Sequence, residues 1–210
     1  MNKIVSLVNE WDAFEKNHPG AEIADFCRYY LLNEKQQDEQ EMVKGMRPPS
    51  ERSLLIKTMA FVISAYNIYF RAAMAETKLP FPEAFFYLVN LYHMKGARKT
   101  DLVNSIMVEY TTGIDAIGKL IKAGLISEKP DNNDKRAKLI QITAKGEKAL
   151  QSCHPLVGKA TEMIFKDLDS DTLKLCISLL SRIEVKHSSL SIAVRHLGFD
   201  EMYAKVMSEN

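Results

Sequence analysis

This 210-residue chain contains no glycine-rich phosphate loop, no serine elbow and no carboxylate motif that asks for catalysis, so it does not read as an enzyme. His18, His93, His154, His187 and His196 show no paired ligand spacing, which predicts no metal site and no cofactor. No apolar run approaches the roughly 20 residues needed to cross a bilayer. Residues 1–10 also lack the cationic start, apolar core and small-residue cleavage site of an export signal. These absences predict a cytoplasmic protein without membrane contact. Cys27, Cys153 and Cys176 are too few and too scattered for a disulfide framework or a metal motif, so buried, reduced thiols are expected. A redox role for Cys27 would need Arg28 to lower its pKa; its apolar helical surroundings argue for an inert thiol. Internal repeats and low-complexity tracts are absent as well.

What is present is a folded chain. A hydrophobic share of 46% can bury a sizeable core. The net charge of +1 hides an asymmetry: residues 95–148 hold eleven lysines and arginines against seven acids, whereas residues 1–50 hold six against nine. The local surplus of +4 is enough to favour phosphate when doubled in a dimer, although ordinary solvated faces carry charge of this size too.

Hydrophobic periodicity divides the chain into helices. Ile4, Leu7, Val8, Trp11 and Phe14 predict a first helix, stopped by His18, Pro19 and Gly20, and Ile23, Phe26, Cys27, Tyr30 and Leu31 predict a second. These form an N-terminal helical extension over 1–49. After Pro48 and Pro49, Ser50 can cap a long helix over 50–77, which has neither proline nor glycine inside it. Pro80 and Pro82 end it, and shorter helices follow over 83–94 and 99–106. Thr143 can cap a helix that Pro155 should kink or break, and Asp169 or Ser170 the next, reaching residue 186. Residues 188–210 form a C-terminal extension of short helices, with Asp200 as a candidate cap.

The most informative stretch is 109–146. Tyr110, Ile114, Ile117 and Ile121 recur at helical spacing and are expected to face inward, leaving Thr111, Thr112, Asp115, Ala116, Lys119 and Lys122 outward. Gly124 then Leu125 match a left-handed glycine cap with a hydrophobic contact behind it. Two strand-like runs flank a turn-rich loop at 130–135 that leads into the adjacent cations Lys135 and Arg136. Helix, stop, charged hairpin and helix together are the layout of a winged helix-turn-helix.

In this stretch the chain resembles the MarR-type transcriptional regulators, whose wing carries Asp-x-Arg and closes on Leu-Thr-x-x-Gly. The matching residues are Asp134, Lys135 and Arg136, then Ile142, Thr143, Ala144, Lys145 and Gly146. The likeness extends over roughly residues 53–186. It implies a mainly α fold, a winged helix-turn-helix with long dimerisation helices and one small β-hairpin wing. The core would span 50–187, with the winged helix at about 80–146 and dimerisation helices at 50–77 and 144–186.

By the same resemblance, a homodimer would bind a palindromic operator in double-stranded DNA. Thr111, Thr112, Asp115, Lys119, Lys122, Lys135, Arg136 and Lys138 are the candidate DNA contacts. Arg136 would enter the minor groove while Asp134 braces the wing. The family often carries a Ser-Arg or Thr-Arg pair where this chain has Ile114 and Asp115. Asp115 can accept from cytosine N4, pair with Lys119 or discourage phosphate binding. The resemblance also implies a small apolar or aromatic effector, for which Phe61, Tyr66, Tyr69, Phe85, Phe86, Tyr87 and Tyr92 are candidate lining; such rings also read as ordinary core. The alternative function is a protein-interaction module on the same fold, suggested by Asp115 and the near-neutral total charge.

Overall fold

A computed structural model describes residues 2–35, 50–131 and 138–209, with the side chains of 32–35 left aside. The predicted wing residues Asp134, Lys135 and Arg136 lie outside the described residues. The chain divides into two compact units, 1–58 and 59–210.

In the first unit, α1 (Lys3–Asn17) and α2 (Ile23–Lys35) flank a turn in which Gly20 adopts φ +84°. The Asn2 side chain caps α1 by accepting the Ile4 N–H at 3.0 Å. The two helices are joined by aromatic rings: Phe14 and Phe26 are buried, with centroids 5.6 Å apart, and Trp11 meets Phe26 edge-on at 5.1 Å. The buried side of α2 passes through Phe26, and Cys27, one residue on, is turned to solvent. Cys176 is exposed too, so of the three thiols expected to be buried only Cys153 is. Burial pushes the Cys153 thiol up, and its Sγ lies 3.1 Å from the Ala149 carbonyl oxygen.

A third helix, α3 (Glu51–Ala75), starts in the first unit and ends in the second. The Ser50 hydroxyl accepts the Ser53 N–H at 3.2 Å, as its position before the helix suggested. By length and composition alone α3 would suffice to cross a bilayer. Its C-terminal half reaches the core of the second unit through Phe70 and Met74, the two residues of α3 that are buried.

The second unit continues with α4 (Ala84–Met94), α5 (Lys99–Ile106), α6 (Tyr110–Lys122), β1 (Ile126–Pro130), β2 (Lys138–Ile142), α7 (Ala144–Phe165), α8 (Ser170–Val194) and α9 (Phe199–Ser208). One hydrophobic core draws on most of them: Leu88 and Leu91 from α4, Leu102 and Val103 from α5, Ile117 and Leu120 from α6, and Ile126 and Ile140 from the strands. The strands pair antiparallel from Ile126 opposite Ile142 to Pro130 opposite Lys138. Ala97 extends this ladder, exchanging two backbone hydrogen bonds with Ile140 at 2.8 and 3.1 Å. The hairpin is thereby tied to the segment that leads into α5.

Two helices outrun their expected ends. α7 continues through Pro155 without a break. Gln151 and Pro155 are both exposed, so the carbonyl that loses its helical donor lies on the solvent side, while buried Cys153 and Ala160 anchor the helix before and after it. α8 passes residue 186 and runs to Val194 because no glycine or proline interrupts it and Leu190 and Val194 are buried. α9 then starts at Gly198 rather than under an Asp200 cap, and Gly198 offers no side-chain bond.

Candidate nucleic-acid interface

The turn between α5 and α6 is set by three residues. Met107 closes α5 in the left-handed region at φ +58°, Val108 follows, and Glu109 starts α6 as its cap. The Glu109 carboxylate accepts the Thr112 N–H at 3.0 Å and the Thr111 hydroxyl. These bonds, the Thr111 hydroxyl first, lower its pKa to about 2. The cap therefore stays charged through the whole physiological range. Because the folded pKa is depressed, the stability it adds is complete above the usual carboxylate range and is lost as pH falls toward 2.

The inward face of α6 differs from the expected one. Gly113, Ala116, Ile117 and Leu120 are buried, whereas Tyr110 is 48% exposed and Ile114 and Ile121 are half-buried. Ala116 thus moves from the outer face to the inner one. The physical reason is close packing: a Cβ on Gly113 would stand 2.5 Å from Cγ2 of Val103, so α5 approaches α6 at a point where only glycine leaves room.

Beyond Lys122 the helix closes as the Gly124 and Leu125 pattern implied. Gly124 takes φ +70°, its N–H bonds the Ile121 carbonyl at 2.9 Å, and the Leu125 N–H bonds the Leu120 carbonyl at 3.0 Å. The first turn of α7 is stitched to this end. Thr143 donates its hydroxyl to the Gly124 carbonyl at 2.8 Å and accepts the Gly146 N–H at 3.0 Å, and Lys145 Nζ donates to the Ala123 carbonyl at 2.7 Å. An ammonium here also complements the negative end of the helix dipole.

Of the predicted contact residues, Thr111, Thr112, Asp115, Lys119 and Lys122 are all exposed on α6. Lys119 does not pair with Asp115; its Nζ sits 5.9 Å from the centroid of the Phe81 ring. Lys138 is exposed on β2 and lies 3.1 Å from Glu128, whose other oxygen is 2.6 Å from Lys99. Lys99 and then Lys138 hold the Glu128 carboxyl below its ordinary pKa. Glu128 thus clamps the hairpin to α5. Arg98 lies 3.6 Å from Asp131, the buried acid at the end of β1.

The seven aromatic residues proposed around an effector differ in burial. Phe85 and Tyr87 are buried, Tyr66 and Phe86 pack against the core, and Tyr69 is half-buried. Phe61 and Tyr92 are 65% and 51% exposed. Phe86 and Tyr87 do border a groove of about 800 Å³ beside α6, which also touches Phe81, Thr112, Asp115 and Lys119. Sequence reasoning missed Glu109 as the cap, Gly113 as the packing contact and Lys145 as the C-terminal tie. Only Glu109 carried a local signal, as an acid directly before a helix.

The comparisons with known proteins agree with this geometry. Residues 83–146 match the family of winged helix DNA-binding domains. The HTH-type transcriptional regulator YybA of Bacillus subtilis (strain 168) is 31% identical over 103 residues, which cover 47% of this chain and 66% of the relative. The chain thus spans just under two thirds of that relative's length. The HTH-type transcriptional regulator BilQ of Clostridium symbiosum (strain WAL-14163) is 20% identical over 98 residues, covering 47% and 68%. Among solved structures, a mutant MarR from E. coli complexed with operator DNA superposes with TM-score 0.57 at 20% identity, covering 61% of this chain and 92% of that one. BpsR of Bordetella bronchiseptica, described for regulation of its DNA binding by 6-hydroxynicotinic acid, gives 0.58 at 19%, covering 66% and 97%.

A helix-turn-helix backed by a two-stranded wing defines the winged helix fold. The chain thus has the fold seen in MarR and BpsR, with its winged helix segment at residues 83–146.

Proposed function

We propose that the protein is a transcriptional regulator that binds a palindromic operator as a homodimer. The observation that carries this reading is the two-sidedness of α6. Its inner face and both ends are fixed by the core, Glu109, Thr143 and Lys145, while Thr111, Thr112, Asp115, Lys119 and Lys122 are exposed on the outer side, open to a groove. A helix of 13 residues reads only a few base pairs. Adequate specificity therefore takes two copies about 34 Å apart, one turn of DNA. The dimer is supported by apolar side chains left exposed on long helices, among them Val62, Ile63 and Ile68 of α3 and Ile177, Leu180 and Ile183 of α8.

The test is fluorescence anisotropy on a panel of duplexes that includes the promoter of the protein's own gene. Binding should weaken steeply with salt. For the double variant Lys119→Ala with Lys122→Ala, affinity should fall on every sequence, and the slope of log K against log salt should flatten by about 3 to 4, one phosphate contact for each of the two lysines in both protomers. Absence of duplex binding at low salt would instead favour a protein-interaction module on the same fold, the reading suggested by the outward Asp115.

We further propose that a small apolar or aromatic effector modulates binding. A molecule seated in the groove of about 800 Å³ would cover Thr112, Asp115 and Lys119 and compete directly with the duplex.

A further inference from the structure

Resting on the DNA-binding reading above, we infer that Asp115 is a specificity-determining residue that reads a cytosine in each half-site through its N4 amino group. Three observations on α6 lead there. The first is position. The buried residues Gly113, Ala116, Ile117 and Leu120 define the inner side of the helix. At 100° per residue the line diametrically opposite runs through Thr111, Asp115, Gly118 and Lys122, all exposed. Asp115 is central on the surface that a groove would meet, not on its rim.

The second observation is that its carboxylate is uncommitted. Among the described residues the Asp115 side chain has no hydrogen bond or ion pair, and the lysine one turn on, Lys119, is drawn to the Phe81 ring. The third is Gly118, in the next turn of the same line. A Cβ there would find nothing within 4 Å, so no packing within the chain asks for glycine. Glycine in a helix interior is destabilising, and an exposed one with no neighbour makes sense where another surface must come close. Aspartate is a short side chain. A recess beside it brings the base edges within its reach.

The chemistry then selects the base. A carboxylate accepts and cannot donate. Guanine shows the major groove two acceptors, O6 and N7, and adenine sets its N7 acceptor next to its amino group. Cytosine shows a donor, N4. Asp115 is thereby matched to cytosine and set against guanine at the same place. Lys122 at the end of the line and Lys119 beside it supply the attraction to phosphate that lets a carboxylate enter the groove.

The experiment is selection from a random-sequence duplex pool with the full chain, followed by anisotropy on the winning duplex and its single-base-pair substitutions. Wild type should fix one C·G pair per half-site and lose about ten- to a hundredfold in affinity when that pair is changed. Asp115→Ala should lose preference at that pair alone and keep the rest of the site. Asp115→Asn should move the preference at that pair to adenine, because an amide both donates and accepts. Gly118→Leu should melt no lower than wild type yet bind the winning duplex more weakly.

Several outcomes would overturn the inference: an unchanged selected site for Asp115→Ala, tighter binding by that variant to all duplexes alike, which would mark Asp115 as a mere repellent of phosphate, or normal binding by Gly118→Leu. Failure of the parent reading looks different. Wild type would then enrich no sequence and bind no duplex even at low salt, and both proposals would fall together.

Discussion

Gly146→Ala is expected to destabilise the winged-helix unit by about 2–3 kcal/mol: a clash with fixed backbone costs somewhat more than the roughly 1–3 kcal/mol of ordinary overpacking, and a helix-propensity gain of about 1 kcal/mol is set against it. The added Cβ would stand 2.2 Å from the carbonyl oxygen of Leu125 and 2.7 Å from Cγ1 of Ile142. Neither neighbour can step aside cheaply. The Leu125 carbonyl already accepts the Thr143 N–H at 3.0 Å and the Thr143 hydroxyl at 3.2 Å, so moving it breaks the junction it belongs to. Relief has to come from sliding the start of α7 away. That shift would also stretch the bonds from Thr143 to Gly124 and from Lys145 to Ala123, the two ties that hold the far end of α6. Urea denaturation followed by circular dichroism should show the loss directly. In a chain of this size it corresponds to a melting point lower by roughly 4–12 °C. Thr143→Ala, which removes the cap but adds no bulk, should cost about 1 kcal/mol. If Gly146→Ala melted with wild type, the junction would be looser than these distances require.

The same junction shows what the sequence can and cannot tell a reader. Several helix limits are legible from a local signal, as at Pro80 and Pro82 after α3, Gly124 with its left-handed φ after α6, and Thr143 and Asp169 as caps that hold backbone N–H groups, whereas Pro155 and Asp200 mislead. The run from Thr143 to Gly146 was legible as a family signature. Its physical cause was not, because Gly146 answers to Leu125, a residue 21 positions earlier. The inner face of α6 departs from the periodicity for a related reason. Periodicity weighs large apolar side chains, and at 100° per residue Tyr110, Ile114, Ile117, Leu120 and Ile121 of α6 fall on an arc centred roughly 60° round the helix from the centre of the buried side. Packing chose the side with Gly113 and Ala116 because small residues let helices meet closely. The exposed Cys27 departs from expectation for the converse reason: an apolar neighbourhood in sequence does not say which side of Phe26 is covered. Of the candidate site, the α6 residues could be picked out because polar positions on a short helix after a turn are conspicuous. Glu128 and Lys145 could not, since their partners come from other elements.

The packing of α5 on α6 gives the second large effect. Gly113→Val should cost about 2–3 kcal/mol, since it places a branched side chain where even a methyl group would lie 2.5 and 2.9 Å from the two Cγ atoms of Val103. Val103 is fully buried and stiff at χ1, so it cannot rotate clear and α5 must move instead. Cutting the valine back isolates the cause. Val103→Ala alone removes two buried methyl groups and should cost about 1.5–2 kcal/mol. Combined with Gly113→Val it opens the space the new side chain needs. The double variant should therefore be less destabilised than the two single losses added together, by about 1–2 kcal/mol. Simple additivity in denaturation experiments would mean that Gly113 is not the contact that fixes the spacing of these helices. The consequence for binding follows from geometry. The turn at Met107 to Glu109 sets where α6 begins, and the contact at Gly113 sets how deeply its first half sits against the domain. A variant that pushes the two helices apart raises the reading face by an ångström or more and tilts Thr111 and Asp115 relative to Lys122. Affinity for a selected duplex should fall in Gly113→Val beyond what its unfolded fraction explains, and should recover in part when Val103→Ala restores the spacing.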